Sequence, residues 1–138
     1  MLANRSMPDA TVVPVLAYAD LGAAVAWLCG AFGFSERLRI GDHRVQLVFG
    51  AGAVVAVRRD APPHGQAEAG HSIMVRVEDV DAHCARAGAY GARILHPPAT
   101  YPYGERQYSV LDPGGHTWTF SQSVADVHPG DWGGVLLA

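Results

Sequence analysis

The chain has 138 residues, a formal charge of −3, 49% hydrophobic residues and ten arginines without a single lysine. That length fits one domain with a real core and is too short for two independently stable ones, so any half-domains would need each other. The scattered arginines form no basic patch that could neutralise phosphates, which excludes nucleic acid, and the missing lysine excludes Schiff-base and lysine general-base chemistry. No basic region leads into a long apolar run, and no unbroken apolar stretch reaches the roughly 18 residues of a membrane helix. Neither a signal peptide nor a membrane span is expected, and the expected location is the cytoplasm. Cys29 and Cys84 lie apart, without CxxC spacing, and read as packing thiols.

Residues 1–10 are polar and unpatterned and read as a mobile lead-in. From Thr11 to Ala19 the β-branched and apolar residues predict a strand, in which Pro14, lacking an amide hydrogen, favours a sheet edge. Asp20 caps a helix with an apolar face of Leu21, Val25, Leu28 and Phe32, and Gly33 stops it. Three strands follow near 34–40, 43–49 and 53–58, with His43 in a polar turn. The proline- and glycine-rich stretch 61–70 reads as a linker.

Beyond it the same order returns. His71 to Val77 is extended, and Asp79 caps a second helix with Asp81 in its first turn, an apolar line through Val80, Cys84 and Ala87, and Gly91 as the stop. A short strand near 93–95 leads into the loop HPPATYPYGER. Strands near 106–111 and 115–121 flank the turn from Asp112 to Gly115. The chain therefore reads as an α+β single domain of two βαβββ modules, 11–60 and 71–122, with a tail at 123–138; Asp20 and Asp79, 59 residues apart, mark equivalent points. One helix covers only one face of each sheet, so the other face is expected to meet a partner module or enclose a cavity.

The repeat, the segments PVLAYADLGAAVAWLCGAFGF and VRVEDVDAHCARAGAYGA, and above all PYGERQYSVLDPGGHTWTF resemble the vicinal oxygen chelate superfamily of glyoxalases, bleomycin-resistance proteins and extradiol dioxygenases. The resemblance covers about residues 11–122 and implies paired modules forming a curved mixed sheet around a cleft. It also implies a homodimer with two clefts, in which modules are frequently exchanged. The family's enzymes hold a divalent metal, and counting from Asp20, Asp79 and Asp112 lands on Val13, Ser72 and Thr119. The first module's second position falls near Ala56 and Val57, which carry no donor. Divalent ions need several imidazole or carboxylate donors at about 2.0–2.2 Å, so no metal and no cofactor is expected. His71 would be a ligand only through a one-residue bulge, and otherwise marks a strand entry or an interface. His116 reads as turn-stabilising, His83 as an exposed helix-flank residue, and His64, His96 and His128 as loop residues.

Taking the family's ligand positions as cavity-facing, strand alternation puts Val13, Val15 and Ala17, then Ser72, Met74 and Arg76, then Thr117, Thr119 and Ser121 on cleft faces, with Trp118 and Phe120 opposite. Tyr101 and Tyr103 either stack on a ligand or seal a dimer rim. Arg106 pairs either with a ligand carboxylate or phosphate, or with Glu105, Asp112 or a partner subunit. Trp132 docks over the cleft or the partner. An apolar surface carrying hydroxyls suits a non-catalytic binder that sequesters an aromatic or peptide antibiotic or related amphipathic metabolite. The alternative is a glyoxalase- or lyase-type enzyme with an atypical site, for which Glu105, His71 or His96 would have to serve as base.

Overall fold

A computed structural model describes residues 2–60 and 71–137, so the expected linker at 61–70, His64 included, lies outside the described residues. Contacts divide the chain into two compact units, Met1–Ala69 with Pro113–His116, and Gly70–Asp112 with Thr117–Ala138.

In the first unit β1 (Val15–Tyr18), β2 (Ser35–Ile40), β3 (Arg44–Phe49) and β4 (Gly52–Arg58) form a sheet of order β1-β4-β3-β2. β1 runs parallel to β4, and the other neighbours are antiparallel. β1 is shorter than the predicted strand; Pro14 precedes it at the sheet edge and accepts from the Val55 amide at 2.9 Å. Asp20 caps α1 (Leu21–Trp27) by accepting the Ala23 amide at 3.1 Å. The helix then widens into a π turn, Leu28–Phe32, which the 3.6-residue spacing did not foresee. Gly33, at φ 85°, ends it in the left-handed conformation. Leu21, Val25, Leu28 and Phe32 are all buried, as are Leu16, Val45, Leu47, Val54 and Ala56 on the strands. Each large aliphatic group contributes roughly 1.5–3 kcal/mol when removed from water.

In the lead-in, residues 5 and 6 are tied to the sheet through their main-chain carbonyls. Arg37, in the bulge of β2, donates to the Arg5 carbonyl at 2.9 Å, and Gln46 of β3 donates to the Ser6 carbonyl at 2.9 Å. His116 is grouped with this unit, its Nε2 standing 2.9 Å from the Ala17 carbonyl and its ring edge-on to Tyr18.

In the second unit β5 (Ile73–Arg76), β6 (Arg93–Thr100), β7 (Glu105–Leu111) and β8 (Thr117–Ser123) repeat the arrangement in the order β5-β8-β7-β6. Asp79 caps α2 (Val80–Ala89) by accepting the Ala82 amide at 3.0 Å, and the Val80 amide donates to Gln122 at 2.9 Å. Trp118 and Phe120 are fully buried on the helix side: Trp118 donates to Asp112 at 3.0 Å, and Phe120 lies under His83 with ring centroids 4.0 Å apart. His83 is thus not an exposed flank residue; its Nδ1 meets the buried Tyr108 hydroxyl at 2.5 Å. Burial, and then Cys84 beside it, pushes the Tyr108 phenol up.

The strand expected to stop near 95 runs on through His96, Pro97 and Pro98 to Thr100. β6 is an outer strand, so prolines cost it little, and the second of its two register shifts, between His96 and Ala99, spans them. No helix among the described residues is long and apolar enough to cross a membrane.

Candidate functional site

Each unit has one sheet face turned away from its helix. In the first unit β1, β4 and β3 align Val15 with Val55 and Val55 with Gln46, while Ala17 aligns with Val57. Around Gln46 the face is aliphatic, with Val15 53% exposed. Val13 lies ahead of β1 and Ser72 ahead of β5, so strand alternation, from which both were assigned, does not fix where their side chains point.

The corresponding face of the second unit is polar. Met74 pairs with Thr119 and Arg76 with Ser121, and across β8 Ser121 pairs with Gln107, Thr119 with Ser109 and Thr117 with Leu111. Met74 is 63% exposed. Hydrogen bonds link most of this face: Tyr103 donates to Gln107 Oε1 at 3.2 Å, Gln107 Nε2 to Ser121 at 3.0 Å, Ser121 to Glu105 at 2.6 Å, and Arg76 to Ser123 at 3.1 Å. Ser109 and Thr119 share a bond of 3.0 Å. The hydrogen bond from Ser121, then that from Ser123, with the Arg76 charge assisting, holds the Glu105 carboxyl below its ordinary range. Such a carboxylate is a strong acceptor and a weak base.

At the end of this network stands an aromatic cluster. Tyr101 and Tyr103 stack in parallel, centroids 5.5 Å apart and planes 5° from coplanar, and Trp132 lies 5.2 Å from Tyr103. Trp132 is carried by a 3-10 turn, Pro129–Trp132, which His128 caps by accepting the Gly130 amide at 3.0 Å. The segment before it is seated on Gly104, whose carbonyl accepts from the Val124 amide at 2.8 Å and the Ala125 amide at 3.3 Å. Gly104 has φ 84°, and a Cβ there would clash with the Ala125 carbonyl.

Arg106 does not belong to this face. Because β7 begins at Glu105 without a bulge, residue 106 points to the helix side, where its guanidinium makes two 2.9 Å bonds to Asp81 and one of 3.2 Å to Thr100. Those bonds hold the Asp81 carboxyl below its usual range. The structure thus brings Met74, Arg76, Thr117 and Thr119 onto one sheet face of the second unit and puts Tyr103 at the end of its network, with Tyr101 stacked beside it. Sequence reasoning missed Gln107 and Ser109, although alternation along β7 places them on the Thr119 face, and missed Gln46, a lone polar residue in an aliphatic run.

The profile of the Glyoxalase/Bleomycin resistance protein/Dioxygenase superfamily matches residues 10–120. The chain belongs to this superfamily. Among solved structures, TioX from Micromonospora sp. ML1 is 39% identical over 81% of this chain and 97% of its own, with a TM-score of 0.69. A glyoxalase/bleomycin resistance protein/dioxygenase from Nocardioides is 23% identical over 88% of each chain at a TM-score of 0.62. Lactoylglutathione lyase from Agrobacterium tumefaciens is 19% identical over 83% of this chain and 94% of its own, at 0.59. The last two likenesses concern the fold alone. No curated protein matches the chain.

The superfamily's enzymes hold a divalent metal, and the residues at the corresponding positions here do not fit one. Val13 has no donor atom, and the Thr119 hydroxyl is engaged by Ser109. Among the described residues no three His, Cys, Asp or Glu side chains stand close enough to share an ion. His71 is exposed and lies ahead of β5.

Proposed function

We propose that the protein is a cytoplasmic, metal-independent binder that sequesters an aromatic or peptide natural product, and that it acts as a homodimer. The observation that carries the reading is the aromatic cluster of Tyr101, Tyr103 and Trp132 at the end of a hydrogen-bonded, hydroxyl-lined sheet face. Preordered rings offer a planar ligand a large contact area at little entropic cost, and the hydroxyls and amides beside them orient its polar groups. Trp132 is 48% exposed and Tyr101 37%, so the rings are reachable. In this reading Tyr101 and Tyr103 stack on the ligand, Met74, Arg76, Thr117 and Thr119 contact it, and Ser72 lies at the margin. Val13 and Val15 serve as contacts on the first unit's own aliphatic face.

Two features favour binding over catalysis. The donor set does not fit a divalent ion, and Glu105, the carboxylate on this face, is held ionised by hydroxyl donors rather than raised toward the neutral range where a general base works. A dimer is supported by the single helix available to each four-stranded sheet. The test is a titration of aromatic natural products followed by tryptophan fluorescence, with Trp132 beside Tyr103 as reporter. Saturable quenching without product formation is expected, weakened roughly tenfold by Tyr101→Ala or Tyr103→Ala with the mass in light scattering unchanged. Metal-dependent turnover of the methylglyoxal–glutathione adduct would overturn the reading.

A further inference from the structure

Gln46 stands out in the first unit's sheet. It is 3% exposed, between Val45 and Leu47 on a strand whose other buried residues are aliphatic. A buried amide has to find partners, and the ones it finds are specific. Its Oε1 accepts from Arg37 Nη1 at 2.6 Å, and its Nε2 donates to the Ser6 carbonyl at 2.9 Å. Arg37 Nη2 in turn donates to the Arg5 carbonyl at 2.9 Å. Two successive main-chain carbonyls are therefore received by two side-chain donors that are bonded to each other. Nothing in these bonds depends on the side chains of residues 5 and 6; they read a peptide backbone.

The surroundings suit such a guest. Val55 lies opposite Gln46 and Val15 beside Val55, giving an aliphatic floor. A cavity of about 350 Å³ adjoins Arg37 and is otherwise lined by Asp9, Ala10, Val48 and the turn at 50–53. The segment is lightly held: of residues 2–9 only Pro8 is buried, and Leu2 is 93% and Met7 55% exposed.

We propose that Arg37 and Gln46 form a carbonyl-reading subsite for the amide backbone of a peptide-like ligand, and that the chain's own residues 5 and 6 occupy it until such a ligand displaces them. This rests on the binder reading and selects the peptide branch of it. The tethered segment competes at a high effective concentration, so apparent affinity is reduced by the fraction of chains in which the subsite is covered.

Trypsin cleavage of the full chain at the Arg5–Ser6 bond tests this, with release of residues 1–5 followed by mass spectrometry. A docked segment cannot extend into the protease, so cleavage reports the undocked population. Arg37→Leu or Gln46→Leu should speed it roughly tenfold, the loss of one charge-assisted or buried hydrogen bond. In the unaltered chain, millimolar acetyl-tetra-alanine amide, which trypsin does not cut, should speed it saturably, and should have no effect on the Gln46→Leu chain. A chromogenic arginine ester in the same tube corrects for effects on the protease. A rate that the probe leaves unchanged in the unaltered chain overturns the inference, whatever the variants do. If aromatic ligands still quench the tryptophans in that case, only the subsite falls; if they do not, the binder reading falls with it.

Discussion

Replacing Ser121 by alanine should cost about 2–3 kcal/mol at neutral pH. Ser121 is 1% exposed, donates to Glu105 at 2.6 Å and accepts from Gln107 at 3.0 Å. Hydrogen bonds to a charged group contribute roughly 1.5–3 kcal/mol and neutral ones about 1 kcal/mol, and Ser123 remains to hold part of the carboxylate. Alanine leaves no cavity, so no packing loss is added. Urea unfolding followed by tryptophan emission should show a lower midpoint at constant slope. The pH dependence identifies the cause. Glu105 has a folded pKa below its ordinary 4.5, so its stabilisation is fully present above that value and is lost as pH falls through the lower folded one. The gap between parent and variant should therefore be wide at neutral pH and narrow in acid toward the roughly 1 kcal/mol of the neutral Gln107 bond. A gap under roughly 0.5 kcal/mol at neutral pH, or one that persists unchanged into acid, would refute the assignment of Ser121 and Glu105 as one charged network.

Arg106→Ala should lower the melting temperature only slightly, because the ion pair with Asp81 is solvent-screened at side-chain exposures of 32% and 58%. Ligand-induced quenching should be untouched, and a clear loss of affinity would return Arg106 to the ligand. Gly104→Ala should cost roughly 2–4 kcal/mol through left-handed strain and the clash with the Ala125 carbonyl. It should also free Trp132 from Tyr103, seen as red-shifted emission and greater acrylamide access. Unchanged emission would mean that the tail's seat does not depend on Gly104.

The scaffold was legible because its signals are local. Asp20 and Asp79 cap helices through their own side chains, and Gly33 and Gly91 take positive φ at the helix ends. Trp118 and Phe120 could be assigned to the helix side once β8 was placed, since alternation needs only a register. The site was less legible where a register was missing. Arg106 stands in the sequence at the junction between the loop 96–106 and the strand expected near 106–111, where no register fixes a face; once β7 begins at Glu105, residue 106 must face α2. The N-terminal segment carried no sequence signal at all, because its bonds to Arg37 and Gln46 run through backbone carbonyls that any sequence possesses. The π turn was hidden for a different reason: Leu21, Val25, Leu28 and Phe32 are buried whether the last turn is α or π.

Pro97 and Pro98 also limit how this protein can associate. The two consecutive prolines remove two amide donors from an outer strand at the point where its register shifts. The pairing with β7 shows that shift, passing from His96 opposite Ser109 to Ala99 opposite Gln107. A neighbouring chain trying to extend the sheet along β6 would meet this irregular, donor-poor stretch in the middle of its register. Growth of the second sheet by strand addition is therefore disfavoured at this edge.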